Sequence, residues 1–156
     1  MENAITDLLD KIVPKLNTLL SDIRLWIGLL LYVGPVLLIA FGLFFIFLSP
    51  KEANHRLGYR SIYGMGSVPA WRFSQKLGGM VLGGLGLVLL IIALIVSATV
   101  SGKELNDVME TVFAWLIVQA SGTLLAYIGV EITLIVRYDL AGNLRKRWRS
   151  KRKMEE

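Results

Sequence analysis

The stretch LGGMVLGGLGLVLLIIALIVSATV, residues 77–100, contains no charged side chain. About 20 consecutive apolar residues are enough for a helix to cross the hydrocarbon core of a bilayer. Residues 77–100 therefore read as a transmembrane helix. Two similar runs lie on either side. Residues 25–49 carry no charge, and residues 111–136 carry a single one, Glu131. The whole chain agrees with this pattern. Its 156 residues are 54% hydrophobic, with a mean hydropathy of +0.60, which is too apolar for a soluble domain of this size. The expected fold is an all-α membrane protein: three transmembrane helices, spanning about 25–49, 77–100 and 111–136, preceded by an N-terminal amphipathic helix.

That N-terminal segment, residues 1–24, repeats apolar side chains at helical spacing: Ile5, Leu8, Leu9, Ile12, Val13, Leu16, Leu19, Leu20 and Ile23. Such spacing draws one stripe along a helix. Asn3 is a suitable N-cap, and Pro14 is expected to kink or split the helix. The segment reads as an interfacial helix, a docking surface for an external partner, or a continuation of the first span. The first apolar run begins late and is long, so a retained helix is expected there rather than a cleaved signal. Within it, the Gly34-Pro35 pair marks a second kink. Proline leaves a carbonyl one turn back without its helical donor, and neighbours must supply another.

Lys and Arg are unevenly distributed. Lys51, Arg56, Arg60, Arg72 and Lys76 lie between the first two spans. Arg137, Arg145, Lys146, Arg147, Arg149, Lys151, Arg152 and Lys153 follow the third. The opposite side has Lys11, Lys15 and Arg24 before the first span and Lys103 after the second. The positive-inside rule then places the loop 50–76 and the basic tail 137–156 in the cytoplasm, and the N-terminus outside. The basic tail is expected to meet anionic headgroups. No nucleic-acid module surrounds it, so nucleic acid is not an expected partner.

Gly79 and Gly83 form a GxxxG pair in the second span, and Gly122 with Ala126 forms a weaker small-residue pair in the third. Small residues at this spacing let helices approach closely. Packing of spans two and three against each other is the expected use, and a homodimer is the alternative.

Chemistry concentrates in the loop 50–76. It contains the chain's single His, His55, together with Asn54, Arg56, Gly58, Tyr59, Arg60, Ser61, Trp71 and Gln75. Gly58 permits a turn that a side chain would obstruct. Arg60 offers a planar fork suited to carboxylate or phosphate. Tyr59, Tyr63 and Trp71 suit a membrane interface. Glu131 lies about 9 Å inside the third span from Arg137. An intramembrane carboxyl marks a site. Its expected partner is Arg60 or Arg56, with Tyr59 or Tyr127 adding hydrogen bonds. The alternative is a protonated carboxyl, or one that reaches interfacial water.

The string Asn54, Gly58-Tyr59-Arg60-Ser61, Trp71 and then Gly78-Gly79 resembles the signature of the SdpI/YfhL family of bacterial toxin-immunity membrane proteins. The direct match covers about 30 residues. Val68-Pro69-Ala70 before the Trp, and Gln75 four residues after it, depart from the family pattern. The resemblance implies a non-catalytic membrane immunity or signalling protein that recognises a membrane-active peptide toxin or recruits a cytoplasmic regulator. A lipid-binding scaffold and a small oligomeric transporter, with Glu131 and Gln119 as its polar lining, are the other readings. Cysteine is absent, which rules out disulfides, thiolate metal sites and Cys nucleophiles. With one His and no HExxH, catalytic-triad or phosphate-loop pattern, neither a metal, a cofactor nor an enzymatic reaction is expected.

Overall fold

The computed structural model describes residues 2–53 and 56–148, with side chains described from residue 11 onward. Asn54, His55 and the tail beyond Trp148 lie outside the described residues, as do the side chains of Ile5, Leu8 and Leu9. The fold is all-helical. Helix α1 (Glu2–Leu43) ends in a π-helical stretch (Phe44–Leu48), followed by α2 (Val68–Val100) and α3 (Leu105–Arg137). Three segments are long and apolar enough to cross a membrane: Lys11–Leu48, Val68–Val100 and Leu105–Arg137.

Helix α1 does not break at the boundary the sequence suggests between an N-terminal helix and the first span. It runs through both Pro14 and Pro35, and Asn3 lies inside it rather than capping it. A proline removes one helical hydrogen bond, and the helix continues where that deficit is met. At Pro35 it is met from α3. The carbonyl one turn back belongs to Leu31, and it accepts from Trp115 Nε1 at 3.0 Å and from Gln119 Nε2 at 3.2 Å. Gly34 makes room for this arrangement, since a Cβ there would collide with Gln119 Oε1. Gly34, Pro35, Trp115 and Gln119 thus form one joint between α1 and α3. Gln119 is a structural brace here, although its polarity alone also suits a transport pathway.

This joint makes a non-additive prediction. Trp115→Phe and Gln119→Leu each leave the Leu31 carbonyl one donor, so each hydrogen bond lost costs about 0.6 kcal/mol. The double variant orphans a buried carbonyl, at about 1–3 kcal/mol beyond the sum. A Pro35→Ala background returns a backbone N–H to Leu31 and should abolish the excess. Thermal unfolding in detergent of the four-protein cycle in each background checks this.

The glycine face of α2 meets α1, not α3 as the spacing suggests. A Cβ on Gly42 of α1 would stand 2.5 Å from Gly83 Cα and 2.8 Å from the Gly79 carbonyl oxygen. One on Gly86 would stand 2.8 Å from the Ile39 nitrogen. Gly122, by contrast, has only Leu85 Cδ1 nearby, at 3.9 Å, and Ala126 packs into the apolar cluster at the loop end. The close helix pair is therefore α1–α2.

Helix α2 begins at Val68, nine residues before the uncharged run (68 against 77). Ser67 is its N-cap: extended at φ −157° and ψ 158°, it accepts from Ala70 N through Oγ. Pro69 follows within the first turn, where a missing N–H costs nothing. Trp71 and Gln75 therefore lie on a helix rather than in a loop. The interior consists of two apolar clusters. Leu31, Leu89, Ala93, Val100, Val108, Val112 and Trp115 close the end away from the motif loop. Tyr59, Ala70, Leu82, Val130, Leu134 and Tyr138 close the loop end.

Candidate functional site

The connection between α1 and α2 folds back onto the helix ends, and four side chains hold its described residues there. Gln75, on the second turn of α2, uses its amide as a matched pair of groups. Its Oε1 accepts from the Tyr59 N–H and its Nε2 donates to the Tyr59 carbonyl, both at 2.7 Å. Trp71 is fully buried, and its indole Nε1 donates to the Pro50 carbonyl at 2.7 Å. The interfacial position expected for Trp71 is thus replaced by a place under the loop. Arg72 Nε reaches the Lys51 carbonyl at 3.3 Å. Gly58 has φ +111°, and a Cβ there would sit 2.7 Å from Trp71 Cζ2 and 2.9 Å from Gln75 Oε1. The same glycine thus supplies the turn and the space for the aromatic ring beneath it.

The fourth support comes from α3. Glu131 accepts from the Tyr59 hydroxyl at Oε1, 3.0 Å, and from Ser61 Oγ at Oε2, 2.8 Å. The Glu131 carboxyl thus binds two hydroxyls of the motif loop: that of Tyr59, as the sequence suggests, and that of Ser61 in addition. Tyr127 packs its ring against Tyr59 at 5.7 Å. Burial, and next the neighbouring Glu131 charge, hold the Tyr59 phenol far above its ordinary range, so it remains a donor. Glu131→Gln removes one of two acceptors from a partly buried pair of hydroxyls. It is expected to cost about 1–2 kcal/mol, a fall of roughly 2–8 °C in melting temperature. An unchanged melting curve would mean that the clamp carries no weight.

A second structure docks on the loop from the far side. After α3 the chain turns sharply over Asp139–Gly142, with Tyr138 and Leu144 in an antiparallel bridge. Gly142 N donates to the Asp139 carbonyl at 2.9 Å, and Gly142 has φ +73°. Ser67 Oγ donates to the Gly142 carbonyl at 2.7 Å, which ties the α2 cap to this turn. Behind it, the Arg137 guanidinium lies 4.0 Å from the Phe73 ring centroid and 5.2 Å from that of Trp148. The tail's first residues are therefore part of the fold. Their signal in the sequence was Asp139 and Gly142 at the first and last positions of a turn.

Within that turn, the Asn143 backbone N–H is the first reason that the Asp139 carboxyl sits below its ordinary range. A carboxyl with a lowered folded pKa stabilises the fold above its unfolded value, about 3.9, and loses that contribution as pH falls through the folded one. The Asn143 amide resonance should accordingly titrate with a midpoint below 3.9. A midpoint at or above that value would contradict the contact.

Beside the clamp, a lateral groove of about 880 Å³ opens between α1 and α3. Leu37, Phe41, Leu116 and Leu124 form its walls, Leu82 lies at its floor, Gln119 and Thr123 are its polar groups at depth, and Tyr59 and Arg60 close its loop end. The volume is in the range of ligand sites. Of the residues singled out from sequence, Gly58, Tyr59, Ser61, Trp71, Gln75 and Glu131 come together in one bracket. Arg60 is exposed at the mouth of the groove, and Arg56 is exposed on the loop. Ser67, Gly142 and the Arg137–Phe73 stack are additions from the structure. No family model matches the chain, and no curated protein or solved structure matches it.

Proposed function

We propose that this chain is a non-catalytic recognition protein of the membrane, in the manner that its motif implies for SdpI-like immunity proteins. In this reading the groove between α1 and α3 takes an apolar segment of a membrane-active peptide directly from the bilayer. The observation that carries the reading is the groove's construction. Its walls are apolar, and its loop end is formed by Tyr59 and Arg60 of the motif, one of which is also bonded to Glu131. An occupant pressing on Tyr59 would be felt by the whole bracket of Ser61, Gln75 and Glu131, which is a route from bilayer to loop. The loop and tail, on the basic side, would present that state to a cytoplasmic regulator. The stripe Ile12, Leu16, Leu19 and Ile23 would lie on the opposite side as an amphipathic surface.

The test is protection. Bacteria expressing the protein are challenged with a defined panel of cationic membrane-active peptides. Wild type should raise the tolerated dose of at least one peptide several-fold. Ala120→Trp, which fills the groove from an exposed position on α3, should abolish protection at equal membrane level. Absence of protection against the whole panel, or full protection by Ala120→Trp, would overturn the reading.

A further inference from the structure

A second cavity, of about 630 Å³, lies where the first helix ends and α2 begins. It is separate from the groove, and the inference below does not depend on peptide recognition. Three of its lining residues are cations: Lys51 from the loop, and Arg72 and Lys76 from α2. Arg72 and Lys76 are four residues apart and so share one face of the helix. The Arg72 Nε–Lys51 carbonyl bond fastens the loop to that face. No acidic side chain lines the cavity among the described residues. On its membrane side stand Ile46 and Phe47, and Phe47 is 75% exposed.

This geometry has a vertical order. Positive charge sits at the level where two membrane helices emerge, and exposed apolar side chains lie below it along the π-helical end of α1. A phosphodiester with two acyl chains has the same order with complementary charge. A free phosphate would use only the upper half. We propose that this cavity is a site for one anionic phospholipid, its phosphate held by Lys51, Arg72 and Lys76 and an acyl chain lying against Ile46 and Phe47. The residue types argue for this occupant over a zwitterionic lipid. Three cations with no lining acid favour net negative charge.

The full chain, in a mild detergent, is titrated with phosphatidylglycerol and with phosphatidylcholine of matched chains, and bound lipid is counted by native mass spectrometry. Wild type should hold one phosphatidylglycerol at least ten-fold more tightly than phosphatidylcholine. Lys51→Gln with Lys76→Gln, which keeps the Arg72 tie to the loop, should lose most of that preference. Arg145→Gln with Lys146→Gln should keep it, and both variants should melt within a few degrees of wild type in phosphatidylcholine. Millimolar inorganic phosphate should not displace the lipid. Three results would overturn the proposal: equal binding of the two lipids, equal loss from the cavity and tail variants, which would mean diffuse attraction, or displacement by phosphate, which would mean an anion site without lipid character.

Discussion

Gly42→Ala is expected to destabilise the protein by about 3 kcal/mol, while Gly84→Ala leaves it unharmed. The two glycines are alike by composition and face different surroundings. A Cβ on Gly42 would meet Gly83 Cα at 2.5 Å, Gly83 N at 2.7 Å and the Gly79 carbonyl oxygen at 2.8 Å. All three are backbone atoms of α2, and none can swing aside as a side chain would. Relief requires the helices to separate, which forfeits dispersion contacts along the seam. Overpacking of this kind costs about 1–3 kcal/mol and sometimes more, and in lipid no hydrophobic drive offsets it. Gly84 has nothing within 4 Å. Its replacement gains helix propensity, up to about 1 kcal/mol. Melting temperatures should then move in opposite directions, by roughly 6–12 °C downward for Gly42→Ala and slightly upward for Gly84→Ala. Equal shifts would mean that α1 and α2 are not in backbone contact.

Gln75→Leu should release the motif loop. Leucine keeps the bulk and removes both groups that serve Tyr59. The Tyr59 N–H and carbonyl would then be buried without partners, at about 1–3 kcal/mol each. The loop can escape that cost by opening, so local opening should become easier by roughly 3 kcal/mol, or about a hundred-fold in population. Arg56 and Arg60 are exposed on this loop, and trypsin cleaves after arginine. In lipid nanodiscs, cleavage at these two positions should accelerate on that scale in the variant, while the helices resist. Gln75→Glu keeps an acceptor for the Tyr59 N–H and places an oxygen against its carbonyl, so it should fall between wild type and Gln75→Leu. If both variants are cut at the wild-type rate, the amide bracket does not govern the loop.

The three apolar helices were legible because a bilayer imposes a length and a polarity that few other environments demand. Gly58 was legible for a similar reason: a glycine between bulky loop residues signals a turn, and its φ of +111° agrees. Glu131 stood out as the single charge in its run, and Tyr59 was legible as a hydrogen-bond partner, whereas Ser61 was not. An arginine pair is the strongest general expectation for a carboxyl. The hydroxyls of Tyr59 and Ser61 became its partners only because Gln75 and Trp71 fix the loop at that height. The partner of the glycine face was illegible too, since GxxxG spacing says that a helix comes close and not which one. Ser67 before Val68-Pro69 did carry the start of α2. The apolar run masked it, because Arg72 and Lys76 interrupt hydropathy without interrupting a helix. Continuity through Pro35 needed donors from α3, and no local window contains them.

The Glu131 clamp also sets an order of assembly. Tyr59 and Ser61 are 72 and 70 residues away from Glu131 in the chain. A ribosome adding about 5–20 residues per second needs roughly 4–14 s to cover that distance. Throughout that interval the first two helices can be in place, but the loop between them lacks its acceptor. Only arrival of the last helix closes it. The clamp is therefore the last fastening to form: until residue 131 is in place the loop is held by its α2 contacts alone, and Tyr59 and Ser61 lack their acceptor.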